Sequence, residues 1–108
     1  MKRPLIQNDS QFRAILRKAI EVTDEMVRQH PSFQLALMIQ PQLTFIAQFL
    51  NGDRVPTPQE RARVNIGVIA VRNFEDTDPE YADWLEALNY AFDHWEEVET
   101  SGKQARQG

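Results

Sequence analysis

The sequence predicts an all-α fold, a compact bundle of about four to five helices in one domain over residues 1–98. Three observations predict it: apolar residues recur at three- and four-residue steps, capping signals precede two such stretches, and Pro or Gly residues separate them. The chain has 108 residues, of which 42% are apolar, enough to enclose a single core. Residues 99–108 include no apolar anchor, and we expect them to form a disordered tail.

The first helix is predicted from about Ser10 to His30. Its apolar positions, among them Phe12, Leu16 and Ala19, recur at helical spacing, and charged residues occupy the opposite side. This is the pattern of an amphipathic helix that packs on a core. Pro31 is expected to end the helix, because the residue before a proline disfavours helical backbone angles.

The second helix is predicted over residues 32–50 and is more apolar than the first. Pro41 lies in its middle, where it removes a backbone donor and its ring meets the carbonyl one turn earlier. We therefore expect either a kink or two short helices at Pro41. Asn51 and Gly52 are expected to end the segment.

The third helix is predicted to begin at the sequence Thr57-Pro58-Gln59-Glu60, a capping box with proline at the tolerated first position. The stretch VNIGVIAV, residues 64–71, would also suit a buried strand, but the chain offers no second strand to pair with it. On a helix, Val64, Val68 and Val71 fall on one side and the isoleucines on the other. We therefore predict a central helix buried on nearly all sides, with Gly67 allowing close approach.

The fourth helix is predicted to begin at Asp78-Pro79, an N-cap residue followed by proline at the first helical position. Large apolar residues then recur at helical spacing and predict an inward-facing stripe. This stripe comprises Tyr81, Trp84, Leu85, Leu88, Phe92 and Trp95.

An acidic segment follows the third helix. No Lys or Arg lies between Arg72 and Lys103, and residues 75–99 carry ten of the chain's sixteen carboxylates. Acidic side chains near a helix start are favoured by the macrodipole, but those near its end are not. Like charges three or four positions apart each cost about 0.2–0.5 kcal/mol. A solvated face that keeps the protein soluble is one interpretation; the local cost favours the other, a surface that meets a cationic partner.

The predicted binding residues are carboxylates around one aromatic ring. Asp83, Glu86, Tyr90, Asp93 and Glu97 are spaced to share one face of the fourth helix, opposite its two tryptophans. Two further carboxylates belong to the loop before that helix. The predicted set is Glu75, Asp76, Asp83, Glu86, Tyr90, Asp93 and Glu97.

The sequence offers no catalytic apparatus, so we expect no enzyme, no cofactor and no metal. The absence of cysteine excludes disulfides and thiolate chemistry. A di-iron bundle needs Glu three residues before His, but Val27 precedes His30 and Ala91 precedes His94 at that distance. No phosphate-binding glycine loop and no nucleophile motif are present.

Charge and hydropathy limit the location and the partners. The sequence shows neither a signal peptide nor an apolar run that would span a membrane, so we expect a cytoplasmic protein without membrane partners. A net charge of −4 disfavours binding to nucleic acid. Two alternative functions stay open: a helical adaptor for another basic protein, and a nucleic-acid-binding module. We also allow for a homodimer of the unbound chain. A nucleic-acid module would need the basic residues Arg13, Arg17, Lys18, Arg28, Arg61 and Arg63.

The stretch GVIAVRNFEDTDPE, residues 67–80, joins an apolar helix end to a basic residue, Phe74 and the cap Thr77-Asp78-Pro79-Glu80. Together with His30-Pro31-x-Phe33 and Gln42-Leu43-x-Phe45-Ile46, it resembles the immunity proteins that protect type VI secreting bacteria from an NAD(P)-degrading toxin. The resemblance spans roughly residues 12–95, although Pro41 departs from it. It implies a small all-α protein without enzymatic activity, which binds its cognate toxin domain and occludes the toxin's active site.

Overall fold

The computed structural model describes residues 5–52 and 54–98, and the predicted tail at 99–108 lies outside this range. The described chain forms five α-helices and one 3-10 turn, and none of it is a strand. The predicted all-α fold is therefore confirmed. The helices are α1 (Asp9–Gln29), α2 (Gln34–Gly52), α3 (Pro58–Arg61), α4 (Ile66–Asn73) and α5 (Pro79–Asp93), followed by the 3-10 turn Trp95–Glu97.

Helix α1 begins one residue before the predicted start. The side chain of Asn8 caps it by accepting a hydrogen bond from the backbone N–H of Gln11 at 2.9 Å. The helix ends before Pro31, where the N–H of His30 still donates to the carbonyl of Met26 at 2.8 Å. Its buried stripe, with Phe12, Leu16 and Ala19, follows the predicted periodicity and packs on α2 and α5.

Helix α2 continues through Pro41, which excludes a division into two short helices; the other alternative, a kink at Pro41, stays a prediction. Pro41 lies on the exposed side, while Ile39 and Leu43 on the buried side are anchored in the core. A side-chain donor also supports the turn around the proline: Gln42 Nε2 donates to the carbonyl of Met38 at 3.2 Å. Core packing and this added hydrogen bond hold a helix that the proline alone would interrupt.

The predicted third helix is two helices. The capping box is confirmed, since Thr57 N–H donates to Glu60 at 2.8 Å and Glu60 N–H donates to Thr57 at 3.2 Å. However, α3 ends at Arg61, and α4 begins only at Ile66. The cause is a tertiary contact: the Gln42 side chain accepts from the backbone N–H of Asn65 and donates to its Oδ1, both at 2.7 Å. This pair of bonds holds Asn65 outside the helix.

Helix α4 is not buried on nearly all sides, which corrects the prediction of a central helix. It packs mainly on α5 and buries Ile66 and Ile69, whereas Val68 and Val71 are 51% and 52% exposed. The close approach predicted at Gly67 is confirmed: a Cβ added there would lie 3.1 Å from the Cβ of Asn89. The side of α4 that bears the two valines therefore forms part of the protein surface.

Aromatic side chains fill the middle of the bundle. Phe49 and Phe92 meet edge to face with centroids 5.3 Å apart, and Trp95 packs against Phe12 at 5.7 Å. Most of the inward stripe predicted for α5 is fully buried, including Phe92. The two tryptophans are partly buried and pack against the edge of the core. The core thus fixes the side of α5 that faces solvent, which is the side of the acidic residues.

Candidate functional site

The predicted acidic residues occupy three adjoining segments. Glu75 and Asp76 are exposed in the turn between α4 and α5, and Asp83 and Glu86 are half-buried on α5. Tyr90, Asp93 and Glu97 complete the predicted set, and all three are exposed. The structure thus places these seven residues along α5 and its two flanking turns.

Glu97 does not continue the helical stripe, because α5 ends at Asp93. The backbone turns at His94, whose N–H makes the last helical hydrogen bond, to the carbonyl of Tyr90 at 2.9 Å. Trp95 then packs into the aromatic core and directs the following residues into the 3-10 turn. The predicted alignment over five positions therefore holds for the four that belong to α5.

A basic residue from another helix offsets the negative charge at the C-terminal end of α5. Arg61 of α3 places its guanidinium 2.6 Å from Glu96 and donates to the backbone carbonyl of Asp93 at 2.7 Å. The hydrogen bond from Arg61 to the carboxylate of Glu96 holds the pKa of Glu96 below its ordinary value. The guanidinium also places positive charge at the C-terminal end of the helix, where the macrodipole favours it. Glu96 is therefore a structural carboxylate.

Asp93 has a different environment. Its carboxylate accepts a hydrogen bond from Asn89 Nδ2 at 3.3 Å. Partial burial raises the pKa of Asp93, and the positive charges of His94 and Arg61 act in the opposite direction. The Asp93 side chain is exposed and lies one helical turn after Tyr90.

The other end of α5 uses one carboxylate as a cap. Asp78 accepts from the backbone N–H of Tyr81 at 3.4 Å, as predicted from the Asp-Pro signal. Glu75 and Asp76 in the preceding turn make no such capping bond to α5. Both side chains are exposed, which suits them to contact a partner.

A shallow depression of about 420 Å³ lies between α4 and α5, beside the acidic residues. Its lining is mostly apolar, and Val68, Val71 and Tyr90 are each about half exposed. The other lining residues are Gly67, Arg72, Glu86 and Asn89. Sequence reasoning assigned the two valines to the core; the usable signal was that Ile66 and Ile69 already fill the inward side of the same short helix.

Tyr90 is held in place. Its ring stacks on that of His94, with centroids 3.9 Å apart and planes inclined by 15°. The His94 ring also makes a hydrogen-bond contact through Nδ1 to the carbonyl of Tyr90 at 2.9 Å. A fixed, half-exposed aromatic ring among carboxylates has the composition of an interface anchor.

A second groove, of about 910 Å³, runs beside Pro41 between α1 and α2. Amide and hydroxyl groups alternate with apolar side chains along it, and Leu37 is 38% exposed. Arg63 at its edge lies over the ring of Phe45, 4.4 Å from the centroid. The groove has no concentration of charge of one sign.

Several basic residues that a nucleic-acid module would need are engaged within the chain. Arg13 donates to the carbonyl of Leu50 at 2.8 Å, and Arg28 forms an ion pair with Glu25. Arg61 holds the end of α5 as described above. These contacts direct the three guanidinium groups to partners within the protein, which makes a shared phosphate-binding stripe less suitable.

Within residues 5–52 and 54–98, no three His, Asp or Glu side chains are grouped so that they could hold a metal ion. In the same part of the chain, no helix has both the length and the apolar character needed to cross a bilayer. What the described residues offer is a small helical bundle with an acidic, partly apolar exposed face, which is typical of a protein-binding module.

The comparison with known families gives this module its class: a bacterial immunity protein. The family model described as Tsi6 matches residues 11–94, so the chain belongs to the Tsi6 family of type VI secretion immunity proteins. The role of this family is to oppose an antibacterial toxin by binding it, which confirms the resemblance at the level of type VI immunity. Neither a curated protein nor a solved structure matches the chain.

Proposed function

We propose that the protein neutralises a cognate type VI toxin that degrades NAD(P), by binding the toxin domain and occluding its active site. The protein is not an enzyme in this proposal and acts in the cytoplasm, where it meets the toxin. The single observation that supports this mechanism is the concentration of exposed carboxylates along α5 and its flanking turns. Family membership supports the immunity role itself.

Charge complementarity supports active-site occlusion. A cleft that binds the phosphates of a dinucleotide is commonly lined by cationic groups, which attract negative charge over several ångströms. Carboxylates on a rigid helix would occupy such a cleft as substitutes for phosphate. We propose that the contacts include Glu75, Asp76, Asp83, Glu86, Tyr90, Asp93 and Glu97.

The test reverses charges that the fold does not need. Glu75, Asp76 and Glu97 are exposed and lie outside helices α1 to α5, so the variant E75K/D76K/E97K should keep its helicity and melting temperature. We expect its affinity for the purified toxin domain encoded by the neighbouring gene to fall by about 100-fold or more. Inhibition of NAD(P) hydrolysis and rescue of growth on co-expression should weaken in parallel.

A matched control is available on the first helix. Glu21 of α1 is exposed, and Glu21→Lys changes the net charge by as much as each single reversal. We expect this variant to bind and protect like the wild-type protein. Wild-type affinity of E75K/D76K/E97K would move the interface to another surface. A neighbouring toxin that does not consume NAD(P) would overturn the proposed toxin chemistry, and the absence of any complex would favour an adaptor for another basic protein.

A further inference from the structure

Three large side chains meet at the surface between α4 and α5, and the sequence predicted burial for two of them, Val68 and Val71. Val68 and Val71 of α4 and Tyr90 of α5 all line the depression between these helices, and they are 51%, 52% and 51% exposed. Other apolar residues are exposed on this protein, but these three share one site. Clustered apolar exposure with a polar rim marks interaction sites on soluble proteins.

We propose that this depression receives one apolar side chain of the toxin, flanked in the toxin by basic residues, and that this side chain anchors the complex. The inference rests on the proposed function and names the chemistry of the contact. A volume of about 420 Å³ with mostly apolar walls suits one large side chain.

The charges around the depression specify what flanks that side chain. Glu86 is part of the wall, and Asp93 is hydrogen-bonded to Asn89, another wall residue. One basic residue, Arg72, also lies in the wall. Two carboxylates, Glu86 and Asp93, are set against this one cation, so the favoured partner is apolar at its centre and basic around it.

The walls of the depression are fixed before a partner arrives. The side chain of Asn89 accepts from the backbone N–H of Gly67 at 2.8 Å and so ties α5 to the start of α4. The stacked ring of His94 orients Tyr90 from the other side. Because these groups are already ordered, little conformational freedom is lost on binding, and a rigid aromatic group can act as an anchor.

The carboxylates around the depression and the apolar side chains inside it should affect different rate constants of toxin binding. Carboxylates at the rim attract a basic partner from a distance and raise the association rate constant. Apolar contacts act only at short range and determine how slowly the complex dissociates. The proposed anchor is therefore visible in kinetics and is separable from the effect of charge.

The test is the variant V68S/V71S, measured by surface plasmon resonance against the purified domain of the neighbouring toxin gene. Both side chains are exposed, so we expect an unchanged melting temperature. The dissociation rate constant should rise by about 30-fold, with less than a threefold change in the association rate constant. Tyr90→Ala should act similarly, whereas Tyr90→Phe should keep most of the affinity because the ring remains.

Leu37→Ser provides the matched control, because Leu37 is an exposed apolar residue in the groove beside Pro41. The complex of Leu37→Ser with the toxin domain should dissociate at the wild-type rate. If V68S/V71S dissociates at the wild-type rate while E75K/D76K/E97K still binds weakly, the anchor is wrong and the proposed function stands. If Leu37→Ser speeds dissociation instead, the contact lies beside Pro41.

A second copy of this chain is the other possible occupant, and light scattering of the unbound protein tests it. We expect V68S/V71S and the wild-type protein to have the same molecular mass. A wild-type dimer that V68S/V71S converts to a monomer, with unchanged affinity for the toxin domain, would assign the depression to self-association and overturn the proposal.

Discussion

Thr23 and Tyr81 form a buried hydroxyl pair that joins α1 to α5. The Thr23 oxygen lies 2.7 Å from the carbonyl of Ala19 and 2.5 Å from the Tyr81 oxygen. Since Thr23 donates its proton to Ala19, Tyr81 donates to Thr23. Burial raises the pKa of Tyr81, so the phenol is neutral at every physiological pH and keeps the proton it donates.

This pair predicts unequal effects for two conservative substitutions. Tyr81→Phe removes one hydrogen bond and should lower the free energy of unfolding by about 1 kcal/mol. Thr23→Val keeps the side-chain shape but leaves a buried phenol without its acceptor, which should cost about 2 kcal/mol. Urea unfolding measures both. The double variant T23V/Y81F should lose less than the sum of the two, and strictly additive losses would contradict the pair.

Gly67 is predicted to resist replacement even by alanine. An alanine Cβ would lie 3.1 Å from Asn89 Cβ and 3.2 Å from its Oδ1, which already accepts from the Gly67 N–H. Overpacking of this kind costs about 1–3 kcal/mol, more than the roughly 1 kcal/mol that alanine gains in helix propensity. Gly67→Ala should therefore lower the melting temperature.

Gly52 supplies the control for this prediction, because a Cβ added there meets nothing within 4 Å. Gly52→Ala should leave the melting temperature unchanged or raise it. An increase in stability for Gly67→Ala would show that Asn89 moves aside freely, and the rigid link between α4 and α5 would then be absent.

Local signals predicted local structure well. The capping box at Thr57 and the cap at Asp78 need only residues three positions apart, and both are present. The break between α3 and α4 was not predictable in this way, because Gln42 of α2 holds Asn65 from 23 positions away. The same limit applies to Arg61, whose partner Glu96 lies 35 positions away along the chain.

Assigning the faces of α4 failed for a related reason. A short helix rich in β-branched residues has no clear polar side, so its sequence suits complete burial or an exposed apolar face equally. The arrangement of the neighbours decides between them: α4 packs mainly on α5, and Val68 and Val71 are left at the surface. The acidic part of the candidate site and Tyr90 could be predicted from the spacing along α5, whereas the exposure of Val68 and Val71 could not.

The contact between α3 and the end of α5 depends on the charge of Glu96. Its folded pKa is below the ordinary value of 4.5, chiefly because Arg61 donates to it. A lowered carboxyl pKa adds stability that is present above pH 4.5 and is lost as the pH falls through the folded pKa. Asp93 has the opposite effect on stability, because partial burial raises its pKa. Its contribution lowers the stability of the fold as the pH rises and the carboxyl ionises.

We expect Glu96→Gln to lower the melting temperature in a pH-dependent way, as measured from pH 7 to pH 3. At pH 7 the melting temperature of the variant should be lower than that of the wild-type protein, because Glu96 no longer offers Arg61 a negative charge. The difference should narrow as the pH falls below 4.5 and close below the lowered pKa of folded Glu96, where the wild-type carboxyl is neutral in both the folded and the unfolded state. A difference that stays constant over the whole range would mean that Glu96 acts through packing or hydrogen bonding alone.

Over the whole molecule, charge is divided along the sequence. Residues 75–99 carry ten carboxylates and no Lys or Arg, while ten of the chain's twelve Lys and Arg residues lie in residues 1–74. α5 and its two flanking turns carry nine of these ten carboxylates. A charge distribution of this kind orients an approaching basic partner before contact, and salt screens it with a Debye length of about 8 Å at physiological ionic strength.

The association rate constant with the toxin domain should therefore fall by about tenfold or more between 20 mM and 500 mM salt, while the dissociation rate constant changes little. The variant E75K/D76K/E97K should make the association rate constant less dependent on salt, because it removes negative charges that attract the toxin domain. V68S/V71S should keep the wild-type salt dependence and dissociate faster at every salt concentration. A wild-type association rate that ignores salt would mean that these carboxylates do not guide the encounter, whatever they contact in the complex.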